Sequence, residues 1–306
     1  MLKFGRNYRL KFKTGKVVRR TYVEWEDEII VEYPLTLTFN ISRGRNQIAN
    51  NASFQLINLS ENTRSKLYKD INDFTKYVWV ELYAGYGEDR ENLPLCFAGE
   101  VWSCESYKEG GGTEFITDIT CMSGIYGRVY SFSNTTIAKG TKPEDVIKTI
   151  CSDFVNMKLK GISSEVLEGL KPPSRDYVLY GRTIDLLESY VGGAGNVIID
   201  NGNIYIAKHN DVIYTGFTDL NIDSGLIGTP RRKDTCLECN LIFEPRLQEI
   251  QKIALNSKTL PFLNGTYKVM AFAHSGIISG AVCGSCITKL SLDISERLFN
   301  QIMELS

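Results

Sequence analysis

Apolar and polar side chains alternate along most of the first half of the chain. Arg9-Leu10-Lys11-Phe12-Lys13 alternates strictly, turns at Thr14-Gly15 and returns through Lys16-Val17-Val18 towards Tyr22-Val23. That pattern predicts a hairpin with one apolar face. Residues 35–41 place Leu35, Leu37, Phe39 and Ile41 on one side, and residues 52–59 continue the theme. A short helix is expected over residues 61–71, with Ser60 as its cap. Residues 77–83, 96–102 and 115–121 read as further strands, the last preceded by a Gly110-Gly111-Gly112 turn. Many short strands between turn residues point to a barrel or sandwich.

The middle changes period. Thr141-Lys142-Pro143-Glu144 has capping-box spacing with proline in the first turn, and Val146, Ile147, Ile150, Cys151 and Phe154 form an apolar helical stripe. A second helix is expected over residues 184–191, capped by Thr183 and stopped by Gly192-Gly193. Beyond it, residues 197–206 form a hairpin signal around Asn201-Gly202, because Asn-Gly supplies the positive φ of a primed turn. Strands are expected near residues 237–243, 267–273 and 287–294. Residues 246–255 fit a helical face through Leu247, Ile250 and Ile253, or a bent strand.

These patterns give a mainly β chain with a small α/β insertion. The expected divisions are a first β-barrel over 1–134, an α/β element over 135–193 and a second β-barrel over 194–306.

Composition narrows the classes. The chain has 306 residues, 43% hydrophobic and 23% charged, enough to bury cores without disulfides or metal. A net charge of −1 argues against a protein that coats nucleic acid. No apolar run approaches the ~20 residues of a spanning helix, and residues 1–6 lack a secretory signal. Maturation in a reducing cytoplasm is expected, with Cys96, Cys104, Cys121 and Cys151 as small hydrophobes.

Candidate chemistry is sparse. Cys236-Leu237-Glu238-Cys239 and Cys283-Gly284-Ser285-Cys286 are paired CxxC units, the spacing that grips zinc or an iron–sulfur cluster if the pairs meet in space. On a regular strand, however, Cys236 and Cys239 point to opposite faces. The two histidines, His209 and His274, could serve a Cys–His nucleophile only beside an activated thiol. Glu24, Glu26, Asp27 and Glu28 could supply paired carboxylates for glycoside hydrolysis, but such a run beside Trp25 also fits a solvated strand edge. Arg9, Lys11, Lys13, Lys16, Arg19 and Arg20 make the first hairpin basic, suited to a solvated edge, passing DNA or an acidic partner. Gly85-Tyr86-Gly87 is too short for a phosphate loop. No catalytic, cofactor-binding or metal-ligating residue is assigned.

Several segments, in order, resemble the hub proteins of phage baseplates and tail tips. Residues 39–43 leading into 51–64 look like the strand and short helix of the first tube-like barrel; residues 97–101 and 116–121 look like its second half. Residues 138–147 are similar to the Gly-Thr helix start that follows that barrel. Residues 179–187 with the Asn-Gly hairpin, residues 225–230 running on through 243–247, and residues 265–269 with 273–276 resemble the remainder through the closing strands of the second barrel. The paired CxxC units depart from the family's pattern.

The resemblance implies two tube-like antiparallel β-barrel domains and a homotrimer, whose six barrels would match a sixfold tail tube. It also implies a structural, non-enzymatic role in the virion tail baseplate after assembly in the host cytoplasm. The partners would be tail tube proteins, the central spike, other baseplate proteins, and the tape-measure protein and DNA passing through the lumen. A tail-associated cell-wall hydrolase and a metal-stabilised β-rich binding module are the alternatives.

Overall fold

A computed structural model describes residues 5–18, 23–44, 49–87, 91–208, 211, 212, 214, 219–249 and 251–295. The first β region contains β1 (Arg6–Val17), β2 (Val23–Glu32), β3 (Leu37–Gly44) and β4 (Asn51–Ile57). It continues through helix α1 (Glu61–Leu67) to β5 (Lys76–Tyr86), β6 (Leu95–Tyr107) and β7 (Ile116–Met122). The alternation read from the sequence is the cause: Tyr8, Leu10 and Phe12 are fully buried, whereas Lys13 of the opposite face is exposed. Burying each large apolar side chain stabilises the fold by roughly 1.5–3 kcal/mol. Ser60 caps α1 as expected, its Oγ accepting from the Thr63 amide at 3.2 Å. The helix stops at Leu67, short of the expected residue 71, because Tyr68 turns to extended ψ.

The middle holds α2 (Ile125–Tyr130), β8 (Phe132–Ile137), α3 (Pro143–Ser152), β9 (Lys158–Ile162) and α4 (Ser164–Gly169). There follow β10 (Tyr177–Arg182), α5 (Thr183–Val191), β11 (Asn196–Asp200) and β12 (Asn203–Ala207). The stripe predicted for α3 is buried, from Val146 to Phe154. Both predicted caps are corrected. Thr141 gives its hydroxyl to the Ala138 carbonyl at 2.8 Å, so Lys142 occupies the cap of α3 without a side-chain bond. Thr183 is the first residue of α5, and its hydroxyl lies 3.0 Å from that of Ser133 instead. The Asn-Gly hairpin pairs Val197–Ile206 and Ile199–Ile204 and packs Ile199, Ile204 and Ile206 against α3 and α5. The boundary expected at 193/194 therefore falls inside a packed unit that runs on to Ala207.

The last region contains β13 (Asp219–Leu220), β14 (Leu226–Lys233), β15 (Cys236–Ile242), β16 (Lys252–Leu255), β17 (Gly265–Ile278) and β18 (Cys286–Asp293). In the ambiguous stretch 246–255 the chain turns and then enters β16, so the strand alternative holds; Ile250 lies outside the described residues.

The two β regions form two tube-like antiparallel barrels that share one sheet. Its order is β14-β15-β18-β17-β3-β4-β7-β6-β5-β1-β2, with β13 and β16 attached beside β17. The seam is the antiparallel pair β17–β3, which runs in register from Ala271–Gly44 to Ile278–Leu37. β17 serves both cores: Tyr267, Val269 and Phe272 pack in the second, and Ile278 in the first. Phe243 and Cys286, also from the last third, complete the first core.

Candidate functional site

The chemistry-bearing residues picked out in the sequence are dispersed. Cys239 packs in the core of the second barrel and Cys286 in that of the first, Cys236 is half-buried and Cys283 is exposed. The strand pairing explains this separation: Ile242 faces Ile287, whereas Cys239 faces Leu290 and Cys236 faces Asp293. Cys239 and Cys286 therefore stand about four residues apart along the ladder, roughly 13 Å at strand rise. A four-thiolate site needs ligands within ~2.3 Å of one ion. Burial also pushes the Cys239 thiol up to about 12 and the Cys286 thiol up to about 11, away from the thiolate that ligation or attack requires.

His274 is fully buried in β17. Its Nδ1 lies 2.8 Å from the Thr288 hydroxyl and its ring meets Phe243 and Phe272. Burial, aided by the nearby Arg43, lowers its pKa to about 3, which keeps the ring neutral. Cys283 lies on the loop before β18, so the two do not form a buried catalytic pair. His209 lies outside the described residues, as do Arg19 and Arg20 of the basic hairpin.

Glu24, Glu26, Asp27 and Glu28 all lie exposed on β2, the outermost strand of the shared sheet. Lys16 reaches Glu26 at 2.6 Å and Lys66 reaches Asp27 at 3.1 Å. Beside them an open cleft of about 830 Å3 runs between β2 and the middle unit, lined by Trp25, Trp79, Glu81 and Asn203 among others. The basic residues of β1 sit one strand further in. Gly85-Tyr86-Gly87 ends β5, and the Tyr86 hydroxyl donates to the Phe243 carbonyl at 2.9 Å.

The most elaborate polar arrangement went unread in the sequence. Arg43, at the end of β3, is the largest fully buried side chain. Its guanidinium donates to Asp200 Oδ1 at 3.1 Å, Asn201 Oδ1 at 2.9 Å, Gln248 Oε1 at 3.3 Å and the Cys96 carbonyl. It also lies over the Phe272 ring at 5.6 Å from the centroid. One side chain thus touches both barrels and the middle unit. Asn50 Nδ2 donates to Asp200 at 3.3 Å, and the Ala98 amide donates to Asn201 at 2.7 Å.

The tip of the Asn-Gly hairpin is therefore a plug seated between the barrels. Gly202, at φ 73°, allows close approach to Trp79; a Cβ there would stand 2.8 Å from the ring. Glu100 makes a second joint, its Oε2 accepting from the Gly124 amide at 2.8 Å where the first barrel passes into α2. Burial raises its pKa to about 7.

Such an arrangement ties three parts of the chain together through buried hydrogen bonds. The family model described as "Baseplate hub gp41" matches residues 17–275, most of the chain. The chain belongs to that baseplate hub family. The hub is thus a structural protein of a phage tail baseplate. Solved structures agree on its fold. The 43 kDa tail protein of prophage MuSo2 from Shewanella oneidensis superimposes with a TM-score of 0.56 at 9% identity, covering 93% of this chain and 98% of that one. A tail protein from Neisseria meningitidis MC58 gives 0.55 at 9% identity, covering 95% and 97%. The E. coli c3393 protein gives 0.53 at 10% identity, covering 86% and 75%; it is described as a type VI secretion component structurally similar to the T4 tail proteins gp27 and gp5. A sequence search of curated proteins finds no match for the hub.

Proposed function

We infer that the hub is a non-enzymatic, ring-forming subunit that joins the tail tube to the central spike around a channel. The observation that carries this is the β17–β3 seam: two tube-like barrels in one chain are held side by side in a continuous sheet. Three such subunits place six barrels in a ring, the symmetry needed to meet a sixfold tube. The tape-measure protein and then DNA pass through the lumen, while other baseplate proteins bind outside. Subunits assemble in the host cytoplasm before they enter the virion. The fold shared with tail proteins, and with a secretion component likened to gp27 and gp5, supports this reading.

Light scattering on the purified protein tests it. A species of three times 34.5 kDa, with rings visible by electron microscopy, is the expected result. A mass that stays at one chain at every concentration, with no ring formed on adding the spike protein, overturns it.

A further inference from the structure

The shared sheet has two open ends among the described residues, β2 on one side and β14 on the other. Their charges are opposite. β2 carries Glu24, Glu26, Asp27, Glu28 and Glu32 and no lysine or arginine, whereas β14 carries Arg231, Arg232 and Lys233 and no acid. Each end also shows large apolar side chains to solvent: Trp25 is 47% and Ile30 50% exposed on β2, and Ile227 is 44% exposed on β14. Apolar anchors flanked by charge are the composition of a protein interface.

We propose that β2 of one hub subunit docks against β14 of a second copy, the acidic end of each sheet meeting the basic end of the next. This rests on the ring reading above and names the surfaces that would form it. Head-to-tail contact requires both complementary patches on every chain, and it generates a ring when the rotation closes. The sheet already uses this pairing internally. Basic β1 lies beside acidic β2, with Arg9–Glu32 at 3.1 Å and Lys16–Glu26 at 2.6 Å. Opposite charges on neighbouring strands are favourable. The outer side of β2 offers the same acids to a further basic neighbour, and β14 is a basic edge. The cleft beside Trp25 has room for long cationic side chains, and an arginine over an indole gains further attraction. Pro230 has no amide hydrogen and sits at a register shift of β14. The contact is therefore made by side chains around Arg231 to Lys233, without a long backbone ladder.

Three variants test the proposal: Glu24→Lys, Glu26→Lys and Glu28→Lys together, Arg231→Glu, Arg232→Glu and Lys233→Glu together, and all six. All six side chains are exposed, and circular dichroism is used to check that each variant folds. Each triple variant gives the two ends net charges of the same sign and weakens self-association at least ~10-fold by sedimentation. The sixfold variant makes β2 net positive and β14 net negative, restores complementarity with the signs exchanged and reassembles. Wild-type association also weakens between ~0.05 and ~0.5 M salt. Rings that persist in both triple variants, or a folded sixfold variant that stays apart, overturn the docking surface and leave the ring reading standing. A wild-type chain that is monomeric with and without spike overturns both.

Discussion

Arg43 and Lys16 both lie on strands of the first barrel and both form an ion pair, yet they do opposite jobs. Arg43 and Asp200 are wholly removed from water and share four further polar partners, Gln248, Cys96, Asn201 and Asn50, across three structural units. Lys16 and Glu26 sit in solvent at the rim of the sheet with room to exchange partners. A buried pair gains little over apolar packing, but losing one partner strands a charge in low dielectric. An exposed pair is screened and contributes little either way. The hub therefore keeps its shape through the inner joint and leaves its rim chemically available.

The largest expected effect comes from breaking the joint. Asp200→Ala leaves the Arg43 charge buried and uncompensated, and destabilises the protein by about 3–5 kcal/mol in urea unfolding. Arg43→Met combined with Asp200→Leu removes both charges and costs less than the sum of the single changes. Strict additivity in that cycle would show that the two groups are not coupled.

This joint marks the limit of what the sequence discloses. Local pattern is legible: alternation exposes the Leu10–Phe12 face, the Ser60 cap and the Asn201-Gly202 turn follow from short-range chemistry, and the α3 stripe follows from its period. The long-range partners are not. Arg43 and Asp200 are separated by 157 positions, and nothing in either neighbourhood announces the other. A lone arginine at a strand end reads as solvated. Only the β17–β3 seam and the seating of the hairpin bury it. The cap at Thr183 fails for the same reason, because Ser133, 50 positions away, engages its hydroxyl, whereas at Thr141 a local contact, the Ala138 carbonyl, takes the hydroxyl. The paired cysteines share a spacing but not a core, since strand register decides which residues meet.

Glu100 carries the next largest effect and a definite pH signature. Its folded pKa of about 7 lies above its ordinary value of 4.5, so between those limits the native state holds a proton that the unfolded chain has released. Stability from this group is fully present below pH 4.5 and falls by about 1.4 kcal/mol per pH unit as pH rises towards 7, then levels off. His274 acts in the opposite sense. Its folded pKa near 3 is depressed below 6.5, so its contribution is complete above pH 6.5 and is lost as pH falls towards 3. The two slopes offset each other between pH 4.5 and 6.5. Unfolding free energies at pH 5 and pH 8 should therefore differ between wild type and Glu100→Gln, with the variant gaining at pH 8. Identical pH profiles would remove Glu100 from the account.

A smaller loss is expected at the hairpin tip. Gly202→Ala places a methyl 2.8 Å from the Trp79 ring at a φ of 73°, and both strain and overpacking oppose it. The cost is about 1–3 kcal/mol, with a blue or red shift in Trp79 fluorescence as the plug lifts. Asn196→Ala, exposed at the far end of the same hairpin, serves as the comparison and leaves the fluorescence where it is.

The smallest effect on stability falls at the rim, where it sharpens the contrast most. Removing the Lys16–Glu26 pair by Lys16→Ala should leave the unfolding midpoint of the subunit where it was, because water and neighbouring acids replace the lost contact. The same change should alter self-association measurably, since it strips a cation from the acidic edge and makes β2 more negative towards a basic partner. A joint residue behaves the other way round, moving stability first and assembly only as a consequence. If Lys16→Ala lowered the midpoint as Asp200→Ala does and left association unchanged, the division between inner joint and outer rim would fail, and the edge charges would belong to the fold.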